Sequence, residues 1–141
     1  MLFRSGREAE NEPRGGGFGG VGESGLVAVE QVIAVAQGSA KAACRSGDVV
    51  GFTAVRPREG ELFLLFVHPE HGGLGVGRAL LDAAHESLRA AGCREVFLYT
   101  HEENERSLAV YQAAGYRRDG SVRESDFRGV HLREPRLVKP L

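Results

Sequence analysis

The sequence predicts an α+β fold with a mixed, mostly antiparallel central sheet flanked by helices. Three observations support this prediction. A continuous apolar run over residues 61–68 is typical of a strand buried on both faces in the middle of a sheet. A helical pattern and a second buried strand follow it, so residues 61–100 predict a right-handed parallel crossover. Before and after this unit, short strand-like runs separated by turn residues predict antiparallel pairs of strands.

The first stretch, residues 1–25, is predicted to be a glycine-rich arm outside the domain of residues 26–141. It has many glycines, several charges and few aliphatic side chains. Such a segment buries little apolar surface, so burial does not offset the large entropy that the chain loses on folding. We therefore expect an irregular arm that packs poorly or reaches a neighbouring molecule.

The next three elements are predicted to be a helix and a hairpin. Residues 26–37 carry apolar side chains at helical spacing, and Gly38 would end the helix. Residues 39–44 and 49–55 read as two strands, because the four residues between them are typical of a turn. The apolar positions of the predicted helix are Leu26, Val29, Val32, Ile33 and Val35.

The crossover is bounded by clear start and stop residues. Pro69 ends the apolar strand, and apolar side chains then recur at helical spacing through residues 75–91. Gly92 would close this helix. Residues 95–100 alternate like a second buried strand.

The last part of the chain is predicted to be a helix and a hairpin. Residues 104–114 form the helix, with Asn104 as its N-cap. Residues 121–127 and 130–138 form the antiparallel pair. Pro135 cannot donate a hydrogen bond to a neighbouring strand, so its strand is expected to be an edge strand or locally bulged.

Composition excludes several classes of function. The 141 residues have a formal net charge of -1 with acids and bases interleaved, which predicts no nucleic-acid partner. No apolar run is long enough to span a membrane, and no signal peptide is evident, so a cytoplasmic protein is expected. Cys44 and Cys93 are isolated and are expected to be reduced thiols, and no histidine spacing suggests a metal.

The loop between the buried strand and its helix is a candidate phosphate site. Residues 69–78 are rich in glycine, which lets successive N–H groups turn to one side. The start of a helix adds unpaired N–H groups and a positive dipole end, and Arg78 adds a full charge. A plain turn with glycines for close packing is the alternative. A P-loop does not fit, because Gly77 is followed by arginine and alanine.

A second block makes the sequence similar to a known family. Asn104, Ser107 and Tyr111 share one helix face, and Gly115 and Tyr116 follow. Together with the glycine loop of residues 72–77, this block resembles the GNAT superfamily of acetyl-CoA-dependent N-acetyltransferases. The resemblance covers residues 26–141 and implies transfer of an acetyl group to a primary amine by direct attack in a ternary complex.

The resemblance implies a set of acetyl-CoA contacts and no metal. The long strand would splay from its neighbour at a bulge, and the pantetheine arm would pair with backbone in the gap. Asn104 would bind that arm, although its role as N-cap is an equal alternative. The implied cofactor-binding residues are Leu65, Phe66, Val67, Gly72, Gly73, Leu74, Gly75, Val76, Gly77, Arg78, Asn104 and Ser107.

The resemblance also implies the catalytic groups. Tyr111 would be the general acid that protonates the departing thiolate, although a tyrosine of the core is the alternative. Glu61, eleven residues before Gly72, would be the general base. A water relay is its rival, as are His101, Glu102 and Glu103 after the neighbouring strand. The N–H of Val67 would hold the thioester oxygen.

Two departures from the family pattern leave alternatives open. Gly72 stands where the family has glutamine or arginine, which removes one side-chain contact to the pyrophosphate. The N-terminal elements that form the amine wall in the family are degenerate here, or another subunit completes the wall in a homodimer. A catalytically silent acyl-CoA-binding or interaction module is therefore the alternative to an enzyme. The sequence does not identify the amine.

Overall fold

The computed structural model describes residues 2–4, 31–36, 39–71 and 75–141. Within them lie eight strands and two α-helices, with a short 3₁₀ turn, Pro69–His71, after the fifth strand. The strands are β1 (Leu2–Arg4), β2 (Gln31–Ala36), β3 (Ala40–Arg45), β4 (Asp48–Arg56), β5 (Glu61–Val67), β6 (Glu95–Tyr99), β7 (Arg117–Phe127) and β8 (Val130–Pro140). The helices are α1 (Val76–Ala90) and α2 (Glu105–Ala113).

The strands form one mixed sheet. Their order is β2-β3-β4-β5-β6-β8-β7, and β1 pairs with β5 in addition. β5 and β6, which flank α1 in the chain, are parallel, and the other pairs are antiparallel. The predicted fold class and the parallel crossover are confirmed.

The helix predicted for residues 26–37 is wrong. Residues 31–36 form β2, which pairs antiparallel with β3. Val32, Ile33 and Val35 are β-branched, so they fit a strand better than a helix once a partner strand is available. The rest of this prediction falls on residues 26–30 and 37–38, which lie outside the described residues, as do most of residues 1–25.

Both predicted hairpins are confirmed, and Pro135 takes one of its two expected settings. β8 lies between β6 and β7, so the edge-strand alternative is wrong. The pairing of β8 with β7 is locally bulged, since the register shifts between Arg118 and Val122, opposite Leu137 and Pro135, with the extra residues on β7. The Pro135 carbonyl accepts the Thr100 N–H at 3.4 Å, so the N–H that proline lacks would face the other neighbour, just past the end of β6 at Tyr99.

The core lies between α1, α2 and the sheet. α1 buries Val76, Leu80 and Leu88 against it, and β6 contributes Val96 and Leu98. β5 lies at the centre of the sheet, and five of its seven side chains are buried, as its apolar run predicts.

Gly51 permits α1 to approach β4 closely. A Cβ on this residue would lie 2.6 Å from the Phe66 carbonyl oxygen and 2.9 Å from Leu80 Cδ1. We therefore expect Gly51→Ala to lower the free energy of unfolding by about 2–3 kcal/mol, because neither the backbone nor the packed leucine can move freely. Urea denaturation measures the change.

Val49→Ala is the matched control for this prediction. Val49 lies on the same strand but is 41% exposed, so its truncation should cost only about 0.5 kcal/mol. Equal losses from the two substitutions would show that close approach of α1 is not what requires the glycine.

The described part of the chain contains neither a candidate membrane-spanning helix nor a candidate metal centre. None of its helices is long and apolar enough to cross a lipid bilayer. Its His, Cys, Asp and Glu side chains do not form a group that could hold a metal ion. Cys44 and Cys93 are free and half-buried, and the Cys93 thiol donates to the Pro57 carbonyl at 3.2 Å.

Candidate active site

β5 and β6 separate soon after they start. In the described chain they pair only where Glu61 lies opposite Phe97. On the other edge of β5, the register with β4 shifts between Ala54 and Val55, so that Phe63 is an extra residue on β5. Beyond this bulge the two parallel strands diverge. We call the gap between them the slot.

The backbone of β5 alternates its hydrogen-bonding groups between two edges. His68, one residue past the strand, donates its N–H to the Val50 carbonyl at 2.8 Å and so faces β4. Phe66, two residues earlier, faces the same way by alternation. The N–H and C=O groups of Leu65 and Val67 therefore point to the slot. Phe66 was expected to present its backbone groups to the slot, but these groups face β4.

The start of α1 lies directly after β5 and its 3₁₀ turn. Gly75 caps the helix with a φ of 81° and without a side-chain hydrogen bond, so no capping side chain occupies the first N–H groups. Val76 is buried and Gly77 half-buried. Arg78 is exposed, with Nε 3.3 Å from Asp82 Oδ1, a surface pair weak enough to open for an anion. Gly72, Gly73 and Leu74 lie outside the described residues.

The start of α2 brings three predicted residues together. Asn104 caps the helix, since its Oδ1 accepts the N–H of Ser107 at 3.2 Å. The predicted N-cap is thus confirmed, and its contact with an acyl-CoA arm stays a prediction. Ser107 and Tyr111 are fully buried on the face of α2 that packs on the core.

Two fully buried hydroxyl groups lie near this helix start. Thr100 directly follows β6, and Ser107 is in the first turn of α2. Within the residues that the structure describes, Thr100 Oγ1 and Ser107 Oγ have no hydrogen-bond partner. A buried hydroxyl without a partner is costly, so such groups often bind a ligand. Sequence reasoning missed Thr100; the available signal was a polar residue continuing the buried alternation of Val96 and Leu98.

Tyr111 belongs to a buried aromatic cluster. Its ring meets that of Tyr116 edge-on, with centroids 5.6 Å apart. Tyr116 Oη lies 2.6 Å from His85 Nε2, a buried hydrogen bond. Burial, with Tyr116 adding to it, raises the pKa of Tyr111 above its usual range. The phenol therefore stays protonated at neutral pH and can act only as a proton donor.

His85 should make stability depend on pH. Burial, assisted by Lys139 and Arg89, lowers the pKa of His85 from 6.5 to about 4. As pH falls below 6.5, the unfolded chain binds a proton that the folded chain refuses, so stability falls until pH 4 and then levels off. We expect the free energy of unfolding to drop by about 2 kcal/mol between pH 7.5 and 5.0 from this residue.

The control is His85→Gln, which can still bond to Tyr116 and does not titrate. Urea denaturation gives the free energy of unfolding of both proteins at each pH. The difference between the two values cancels the contribution of the carboxylates, which both proteins share. Parallel stability curves for wild type and variant would contradict the prediction.

Glu61 lies at the closed end of the slot. It is 6% exposed, opposite Phe97 on β6, and its Oε2 is 3.7 Å from Arg56 Nη1. Of its rivals, Glu102 is exposed and paired with Arg133 at 3.3 Å, and Glu103 is also exposed.

The region that contains the candidate site matches the model of a known protein family. The acetyltransferase (GNAT) family matches residues 23–116, which contain the slot, α1, β6 and α2. The chain therefore belongs to the acetyltransferase (GNAT) family, and the resemblance drawn from the two sequence blocks is confirmed.

Two relatives in sequence are named acetyltransferases. An aminoglycoside N(6′)-acetyltransferase type 1 from Stenotrophomonas maltophilia is 34% identical, over 78% of this chain and 75% of the relative. A mycothiol acetyltransferase from Propionibacterium freudenreichii subsp. shermanii is 44% identical, over 50% of this chain and 25% of the relative. This chain thus spans about a quarter of the mycothiol enzyme.

A solved structure with a similar fold contains acetyl-CoA. It is a GNAT family acetyltransferase from Elizabethkingia anophelis with acetyl-CoA bound. The TM-score is 0.60 at 16% identity, over 72% of this chain and 75% of that one. At this level of identity the similarity concerns the fold.

Proposed function

We propose that this chain transfers an acetyl group from acetyl-CoA to a primary amine, with both substrates bound at once. The observation that carries the proposal is the slot. Among the described residues β5 and β6 pair only at Glu61 and Phe97, and the edge of β5 that has left β6 leads to the start of α1. A backbone edge followed by a helix N-terminus fits a molecule with amide groups at one end and phosphates at the other.

The residues around the slot fit acetyl-CoA in three respects. Leu65 and Val67 turn backbone groups to it, as a strand-like pantetheine arm requires. Gly75 leaves the N–H groups of α1 without a capping side chain. Thr100 and Ser107 hold buried hydroxyls that lack a partner among the described residues, and amide oxygens or a thioester would satisfy them.

Bound acetyl-CoA supplies a thioester carbonyl that a neutral amine can attack. The N–H of Val67 stabilises the negative charge that develops on the carbonyl oxygen. Glu61, or a water that it holds, accepts the proton that the amine loses. Tyr111 donates its phenolic proton to the sulfur as the bond to carbon breaks. Because the pKa of Tyr111 is raised, the donation depends on position rather than on acidity.

The acceptor is proposed to be a small polyamine or an aminoglycoside amine. The support is the Stenotrophomonas maltophilia relative, which aligns with this chain over three quarters of both lengths. Near the end of β6, Glu102 and Glu124 share Arg133 and Glu103 is exposed, so a cationic acceptor would meet side chains of mixed charge there. A peptide N-terminus is the competing acceptor class.

The test is release of free thiol from acetyl-CoA in the presence of an aminoglycoside, a polyamine or a peptide with a free N-terminus. We expect thiol release only with an acceptor, and intersecting double-reciprocal plots that indicate a ternary complex. Parallel plots with an acetylated enzyme would contradict direct attack. Binding of CoA without thiol release from any acceptor would support the silent module.

A further inference from the structure

The slot already contains a strand of the same chain. β1 pairs antiparallel with β5, on residues that also pair with β4. A strand has two edges, and β4 occupies one of them. β1 therefore lies on the other edge, where β5 has left β6. The register joins Leu2 to Phe66, Phe3 to Leu65 and Arg4 to Leu64.

The alternation of β5 identifies the central residue of this pairing. His68 donates its N–H toward β4, and backbone groups alternate between the two edges of a strand. Leu65 is three positions before His68, so its N–H and C=O point away from β4. Phe3 is the register partner of Leu65. In an antiparallel pair, Phe3 and Leu65 would therefore exchange both backbone hydrogen bonds.

We propose that β1 is an internal competitor for the slot, which must leave β5 before the arm of an acyl-CoA can pair there. The inference rests on the proposed function, since it takes the backbone of Leu65 and Val67 as the surface that the arm uses. β1 adds a strand to this edge in the way that a bound extended ligand does. One edge cannot hold two partners, so closing the slot with β1 lowers the apparent affinity for acyl-CoA.

The competition should be weak enough to be reversible. β1 has three residues, and residues 5–30 connect it to β2, so release does not require other strands to separate. A closed population of about 70–90% would weaken the apparent affinity for acyl-CoA about 3–10-fold. The nucleotide end of the ligand binds at α1, outside the strand pairing, and should be unaffected.

The test compares Phe3→Pro with Phe3→Val. Proline has no N–H and cannot complete the pair with Leu65, whereas valine keeps the N–H and favours a strand. Calorimetric titration uses two probes, CoA and 3′-phospho-ADP, which has the pyrophosphate and lacks the pantetheine arm. We expect Phe3→Pro to bind CoA about 3–10-fold more tightly than wild type, with equal affinity for 3′-phospho-ADP and with Phe3→Val close to wild type.

The outcomes separate this inference from the proposed function. Equal CoA affinities in all three proteins would overturn the inference and leave the proposed function standing. Failure of every protein to bind CoA would overturn both. Hydrogen exchange is the second measurement: the amide of Leu65 should exchange faster in Phe3→Pro without ligand, and unchanged exchange would also overturn the inference. Deletion of residues 2–4 replaces Phe3→Pro if that variant does not fold.

Discussion

Tyr111→Phe should lower the turnover number by about 10²-fold while the protein folds and binds CoA normally. The substitution keeps the ring that packs on Tyr116 and removes the hydroxyl whose proton would go to the sulfur. The loss should shrink with an acyl donor whose thiol is more acidic, because a better leaving group needs less protonation. Steady-state kinetics with two such donors measures both effects.

Tyr116→Phe is the control for this prediction. Tyr116 is also buried and also loses one hydroxyl, but that hydroxyl is bonded to His85. We expect a stability loss of about 1 kcal/mol and little change in turnover. Full activity in a folded Tyr111→Phe protein would remove the catalytic role, and the family membership would stand.

Gly77→Glu should weaken CoA binding by about 10²-fold. Gly77 is in the first turn of α1, where the glycine loop and the helix N-terminus would hold the pyrophosphate. A glutamate side chain there would fill the space for the phosphate, and its charge would repel the phosphate. The expected loss of binding free energy is that of about two charge-assisted hydrogen bonds. Gly75 is a poorer position for this test, because its φ of 81° would strain any other residue.

Ala90→Glu is the matched control at the other end of α1. It adds the same charge to the same helix at an exposed position. Calorimetric titration with CoA should show an affinity close to that of wild type for this variant. Equal weakening by both substitutions would point to overall charge and would contradict a phosphate site at the start of α1.

Much of the fold could be predicted because its signals are local. Pro69 and Gly92 mark the ends of segments, and the helical repeat between them needs no knowledge of the rest of the chain. Asn104 is followed by a helix whose cap it forms. In both helices the residues that stop or start the element lie within a few positions of it.

The failures occur where a distant partner decides the structure. Val32 and Ile33 suit a helix face or a strand, and only the pairing with β3 selects the strand. The bulge at Phe63 leaves no mark in a run of apolar residues, because it depends on how β4 and β6 meet β5. Thr100 looks like an ordinary strand residue until its hydroxyl is found buried without a partner among the described residues.

The bulge in β5 also changes how this strand compares with others in sequence. Side chains of a regular strand alternate, so two positions on the same face differ by an even number. Leu62 and Leu65 both pack into the hydrophobic core although they are three positions apart, because the extra residue Phe63 shifts the phase between them. An alignment that shifts a one-residue gap across this bulge would exchange inward and outward positions in half of the strand. The two halves of β5 therefore have to be aligned separately, each with its own phase.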